Sequence, residues 1–316
     1  MLSVTAGGPG LVAVGWEWTP TGGNANAAIG GGDLDAAVWT SSDGVAWSRV
    51  VGDDAALGGE GFEQMLSVTA GGPGLVAVGS VMSSLDGSRD AAAWASPDGV
   101  TWTRVRGNDA ALGGEGFQQM FDVTAGGPGL VAVGMDSAGG DMDAAVWTSS
   151  DGLTWSRMSE EDAALGGADE QVMASVSAGG PGLVAVGMDS AGGGADAAVW
   201  TSPDGVTWTR VPGDEAVFGG VGRQEMASVS AGGPGLVAVG SDASGPGGDV
   251  DAAVWTSPDG VTWTRIPGDE TVFGGASDQM MLSVTAGGPG LVAVGMEVSR
   301  PDGDPEAAVW IGVRDD

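Results

Sequence analysis

Residues 201–210 read TSPDGVTWTR and residues 256–265 read TSPDGVTWTR again, with close copies beginning at 40, 95 and 148. A stretch repeated letter for letter is a unit of structure, so its chemistry and spacing decide the architecture. In SPDG, Pro presets the turn at its second position and Gly closes it at the fourth. The flanking runs AAVWTS and VTWTRV are short and apolar, so the turn joins two antiparallel strands. Outward from this hairpin, the string AGGPGLVAVG occurs six times, with its Ala at 6, 70, 125, 178, 231 and 286. Steps of 53 to 64 residues are the period of propeller blades, about twice that of a β-helix coil. No 3.6-residue apolar periodicity runs through the chain, which excludes helical solenoids.

Residues 226–266 contain four apolar runs, MASVSA, LVAVG, AAVWTS and VTWTRV, with AGGPG between the first two and SPDG between the last two. Four runs predict four strands. A twisted four-stranded meander cannot cover both its faces alone, and packing radially against copies of itself leaves only short edges. The expected fold is all-β: a β-propeller of six blades with four antiparallel strands each, in one domain over 1–316. The predicted repeats are 1–64, 65–119, 120–172, 173–225, 226–280 and 281–316. The last ends in VWIGVRDD without the SPDG turn, so its blade is expected to be incomplete.

Composition narrows the chemistry. The 316 residues include 62 Gly and 15 Pro, yet 42% are apolar and 13 are Trp, an apolar load that a disordered chain does not carry. Cys, His and Tyr are absent, and all ten basic residues are Arg. Forty-two carboxylates give a formal net charge of −32, which repels nucleic acid and anionic lipid. No apolar run approaches the ~18 residues of a membrane span. The reading is a soluble protein with no nucleic-acid partner and no membrane insertion. Its compartment stays unreadable, and a longer secreted precursor stays open.

The hairpin SPDGVTW resembles the Asp-box of bacterial neuraminidase repeats, the Ser-x-Asp-x-Gly-x-Thr-Trp turn, although here Gly directly follows Asp. The resemblance implies that Asp43, Asp98, Asp151, Asp204 and Asp259 tie down backbone amides of the turn. It implies too that Trp47, Trp102, Trp155, Trp208 and Trp263 pack between blades. Sialidase chemistry needs a tyrosine nucleophile, so a non-sialidase member is expected. A second Trp, at 39, 94, 147, 200, 255 and 310, recurs in register and reads as blade core. Arg49, Arg104, Arg157, Arg210 and Arg265 follow two residues after the box Trp, placed to stack on a ring or pair with a carboxylate.

Alternating strand direction assigns 34 of the 42 carboxylates to loops of one face, which is then strongly acidic. The pairs Asp33/Asp35, Asp141/Asp143 and Asp249/Asp251 offer oxygens on one side of an extended segment, and calcium is the cofactor that such oxygens suit. Without His, Cys, Lys or Tyr, general acid–base work is left to carboxylates, with Ser and Thr as the remaining hydroxyls. A local function belongs where the symmetry breaks. The largest break is the insertion at 16–34, where Trp16, Glu17 and Trp18 form a candidate aromatic wall with an acceptor; the second, at 296–306, contains Arg300. The leading expectation is a non-enzymatic binding or scaffold propeller whose acidic face takes a protein, glycan or cation. The alternatives are a carboxylate-dependent glycoside hydrolase or carbohydrate-binding module, and an amplified or designed repeat with no evolved ligand.

Overall fold

A computed structural model of the chain describes residues 1–20, 32–51, 54–58, 61–83, 88–107, 109–158, 164–167, 169–190, 194–233, 235–243, 249–269, 271–275, 277–287, 290–299 and 303–313. These form 23 strands and two short helices, α1 (Asp54–Leu57) and α2 (Asp109–Leu112). The strands fall into six antiparallel groups, numbered here as blades. Blade 1 holds β1 (Ser3–Gly7), β2 (Gly10–Pro20), β3 (Gly32–Ser41) and β4 (Ser48–Arg49), and blade 2 holds β5 (Gly61–Gly71), β6 (Gly74–Ser83), β7 (Arg89–Ser96) and β8 (Thr103–Arg104). Blade 3 comprises β9 (Gln118–Gly126), β10 (Gly129–Asp136), β11 (Asp143–Ser149) and β12 (Ser156–Arg157); blade 4 comprises β13 (Gln171–Gly179), β14 (Gly182–Asp189), β15 (Asp196–Ser202) and β16 (Thr209–Arg210). Blade 5 is β17 (Gln224–Gly232), β18 (Gly235–Asp242), β19 (Asp251–Ser257) and β20 (Thr264–Arg265), and blade 6 has three strands, β21 (Ser277–Gly287), β22 (Gly290–Ser299) and β23 (Pro305–Val313). In blades 2 to 6 the first strands begin ahead of the repeated methionines, as with Gly61 before Met65.

The register explains the repeated letters. In blade 5 the AGGPG turn closes at Gly232 opposite Gly235, and the pairing then shifts between Met226 and Ser228. This β-bulge brings the backbone of the first strand onto Gly240, where an added Cβ would stand 2.0 Å from the Glu225 carbonyl oxygen. Gly79, Gly134, Gly187 and Gly295 meet carbonyls at 1.9 Å in the same way, so the last letter of VAVG is glycine because nothing larger fits.

The second turn is held by its own side chains. In blade 4 the Ser202 hydroxyl accepts the Gly205 amide at 2.8 Å, and Asp204 Oδ1 accepts the amides of Val206 and Thr207 at 2.9 and 2.6 Å. Gly205 sits at φ 77°, a left-handed conformation open to glycine at little cost. The fourth strand is shorter than the VTWTRV run suggests, because only Trp200 with Arg210 and Thr201 with Thr209 pair. Val211 adds one further amide bond to Val199, and Pro212 then has no amide to continue the ladder.

The chain divides into two compact units, Met1–Ser159 and Glu160–Asp316. In the first, one core cluster joins blades 1 and 2 through Val14, Val38, Leu75 and Trp94, and a second joins blades 2 and 3 through Val78, Leu130 and Trp147. In the second unit, Val186, Leu236 and Trp255 join blades 4 and 5, while Val239, Met281 and Val284 join blades 5 and 6. The buried indoles also clasp the connections between blades: Trp94 donates to the Ala56 carbonyl at 2.8 Å, Trp147 to Ala111 at 2.7 Å and Trp255 to Val217 at 2.7 Å. A sheet face of β-branched residues thus finds its cover on the next copy. No helix among the described residues is long and apolar enough to cross a membrane.

Candidate functional site

Each complete blade carries a row of polar residues at one level of its sheet. In blade 3, Gln118 on β9 pairs across to Asp136 on β10, which pairs with Asp143 on β11. Gln118 Nε2 donates to Asp136 Oδ1 at 2.8 Å, and the Arg157 guanidinium stands 2.8 Å from Asp136 Oδ2, off the line of a hydrogen bond. Blade 4 repeats this with Gln171, Asp189 and Arg210, and blade 5 with Gln224, Asp242 and Arg265. Arg210 and Arg265 also lie over the rings of Trp200 and Trp255, at 5.4 and 5.7 Å. Asp136, Asp189 and Asp242 are buried, and a buried carboxylate persists only when paired. These acids are therefore structural partners of the repeated arginines, not solvated loop charges.

Blade 2 breaks the pattern twice. Glu63 stands where the other blades carry Gln118, Gln171, Gln224 and Gln279, and its cross-strand partner is Val81, where they carry Asp or Glu. The negative charge has moved one strand over. Glu63 is 5% exposed, its carboxylate is 4.0 Å from the Arg104 guanidinium, and its Oε2 has no hydrogen-bond partner. Burial pushes the Glu63 carboxyl up to about 7; Asp35 and Asp33 push the same way, while Arg104 and Arg106 oppose them.

Blades 1 and 2 form one continuous eight-stranded sheet, because β3 pairs in parallel with β5 through Leu34 and Phe62. Since paired residues share a face, Glu17, Asp35, Glu63, Val81 and Asp90 form one row across β2, β3, β5, β6 and β7. Arg49 holds one end of that row, donating from Nε to both oxygens of Glu17 at 3.0 and 3.1 Å, which keeps that carboxyl below its ordinary range. Arg104 senses both Glu63 and Asp90. Asp90, Arg104 and Arg106 line a cavity of about 330 Å³, and Val81 forms part of its wall.

The residues singled out from sequence are distributed differently. Trp16 and Trp18 are each 44% exposed and share one face of their strand, while strand alternation turns Glu17 to the opposite face, away from the two rings. Arg300 lies outside the described residues. Asp35 lies in β3 opposite Glu17, and Asp143 and Asp251 open β11 and β19 opposite Asp136 and Asp242. Among the described residues, no group of three or more acidic side chains is placed to hold a metal ion. Asp43, Asp98, Asp151, Asp204 and Asp259 each accept two turn amides through Oδ1. Trp102, Trp155, Trp208 and Trp263 are buried and donate back to the turn glycines, while Trp47 is half-buried. Glu63 and Asp90 were not singled out. The signal was available as the one Glu in a column of Gln.

A model of the DUF6242 β-propeller domain matches residues 35–218. The chain belongs to this β-propeller family. No curated protein matches it by sequence. Among solved structures, it is similar to a Parabacteroides distasonis protein provisionally described as a glycoside hydrolase, with 11% identity and a TM-score of 0.44 over 97% of this chain and 85% of that one. It is similar also to a family 117 glycoside hydrolase of Zobellia galactanivorans, at 10% identity and a TM-score of 0.37, covering 70% and 69% of the two chains. A third, described simply as a glycoside hydrolase, gives 10% identity and a TM-score of 0.40 over 99% and 92%. The leading expectation was a non-enzymatic binding or scaffold propeller, whereas these three solved structures are described as glycoside hydrolases. At this identity the likeness assigns neither substrate nor residue, and the functional argument rests on this chain's own side chains.

Proposed function

We propose that the chain is a carboxylate-dependent glycoside hydrolase of this propeller family whose proton donor is Glu63. The observation that carries this is the double exchange in blade 2, which leaves a buried carboxyl with an unpaired oxygen where every comparable position holds an amide. A general acid must hold its proton near neutral pH, and the desolvated Glu63 does so where an ordinary glutamate does not. Its partner is Asp90, which lies across Val81 on the same face. Two inter-strand spacings separate their backbones by about 10 Å, and an inverting pair needs its carboxyl groups about 6.5–9.5 Å apart. Arg104 lies within reach of both charges and steadies the carboxylate that forms when Glu63 gives up its proton. The SPDG turns are read with this as Asp-box-like scaffold elements outside the chemistry.

The test is a panel of chromogenic glycosides assayed with the wild type, Glu63→Gln and Asp90→Asn. Glu63→Gln places in blade 2 the residue that the other blades already fold around. Hydrolysis with inversion at the anomeric carbon, falling by at least about 100-fold in both variants, is expected. Retention would assign the nucleophile to the adjacent Asp35. Turnover unchanged in Glu63→Gln would end the proposal.

A further inference from the structure

The exposed tryptophans of blade 1 do not stand alone. Trp18 pairs with Leu34, Leu34 with Phe62 in the parallel step between blades, Phe62 with Met82, and Met82 with Arg89. A further parallel bridge carries the row from Arg89 to Phe117, just ahead of β9. Paired residues share a face, so these six form one line across the first compact unit, on the side of the sheet opposite Glu17, Asp35 and Glu63. Trp18 and Phe117 are 44% and 48% exposed, and the four residues between them are half-buried.

Packing does not require these rings. At the position of Phe62 and Phe117, blades 4 to 6 carry Glu170, Arg223 and Asp278, and at that of Trp18, blades 3 and 4 carry Ser137 and Ser190. Blades of the same repeat fold around polar side chains there, so the aromatic line belongs to blades 1–3 alone. Its polar groups are also unspent. The indoles of Trp94, Trp147, Trp200 and Trp255 each donate to a carbonyl, whereas those of Trp16 and Trp18 donate to no described residue. Gln64 lies two residues along β5 from Phe62, on the same side, and its half-buried side-chain amide bonds to no described residue.

We infer that this line is a binding platform for a neutral oligosaccharide chain. Its sugar rings stack on Trp18, Phe62 and Phe117, and its hydroxyls meet the Trp16 indole and the Gln64 amide. The inference goes beyond the glycosidase reading and does not rest on it, since the platform lies on the face away from Glu63. A pyranose presents an apolar C–H surface to an aromatic ring and hydroxyls at its edge to N–H donors, which is the combination found here. Charge selects a neutral chain. The line contains no carboxylate to attract a basic peptide, its one cation, Arg89, donates to Gln119 at 2.9 Å, and the protein's charge of −32 repels a polyanion. Five inter-strand steps from Trp18 to Phe117 make the line about 24 Å long, a length for several sugars and not one.

The experiment is calorimetric titration of the whole chain with cellohexaose, mannohexaose, xylohexaose and maltohexaose, with the matching disaccharides, and with a decaproline peptide. It is run in the Glu63→Gln background, so that turnover does not consume the ligand, and repeated with Trp18→Ser or Phe117→Glu added. Both changes install residues that other blades carry at these positions, and thermal melts confirm folding. Saturable binding of at least one hexaose is expected, at least about tenfold tighter than its disaccharide and weakened at least about tenfold by each variant. Loss in both variants shows that one chain spans the line. Binding of no hexaose, equal affinity for hexaose and disaccharide, full affinity in either folded variant, or tighter binding of decaproline than of every hexaose would overturn the inference. Binding to the platform by a wild type that turns over no glycoside sinks the hydrolase proposal and keeps the platform. Turnover without binding to the platform in Glu63→Gln does the reverse.

Discussion

Ser202 shows what a single repeated letter does. It is fully buried, and its hydroxyl accepts the Gly205 amide while donating to Asp204. Ser202→Ala leaves that amide unsatisfied and is expected to cost about 1–2 kcal/mol, measured as a shifted urea midpoint. The turn aspartates act at low pH. Amides of Thr207 and Val206 hold Asp204 below its ordinary 3.8, and Asp98, Asp151 and Asp259 are held down by equivalent amides. Their contribution is present above pH 3.8 and disappears as pH falls through the lower folded values, so denaturant midpoints should drop steeply below about pH 4. Glu63 has the opposite sign. With an ordinary value of 4.5 and a folded value near 7, it binds its proton more tightly folded than unfolded, so its contribution falls as pH rises through that window. Glu63→Gln should therefore match the wild type near pH 4.5 and exceed it at pH 8 by roughly 1–3 kcal/mol. A pH-independent difference would show that Glu63 is ionised throughout. The repeated Trp and Arg roles were legible because they recur. Glu63 is harder to see, because it is the single departure in a column of near-identical letters.

At the scale of strands, the four-run repeat translated directly into four strands per blade, and the absent last hairpin into a three-stranded blade 6. The bulge was not legible, since a one-residue shift leaves no periodic trace. It appears only as the glycine that the bulge requires. Gly240→Ala should destabilise blade 5 by about 3 kcal/mol or more, because a Cβ there meets the Glu225 carbonyl and the backbone must move. An unchanged melting temperature would mean that the bulge is absent in solution. Trp16, Glu17 and Trp18 illustrate the converse. Strand alternation alone separates glutamate from tryptophans, and it also sends Glu17 to Arg49 and into the row that contains Glu63.

At the scale of the chain, charge is the dominant global property. With −32 formal charges on 316 residues, self-repulsion should make the melting temperature rise as sodium chloride goes from about 10 to 200 mM, while the buried Arg157–Asp136 and Arg104–Glu63 pairs are little screened. A melting temperature that falls with salt would make surface ion pairs the stronger effect. The sequence by itself determined the repeat period, the strand count, the turn chemistry and the chemical poverty that leaves carboxylates as the acid–base groups, because those follow from local preferences repeated six times. Only the tertiary structure decided which acids are buried, that β3 joins β5, and that Glu63 lies between Asp35 and Asp90 with Arg104 close by. Desolvation and cross-blade register depend on neighbours distant along the chain, and no single repeat contains them.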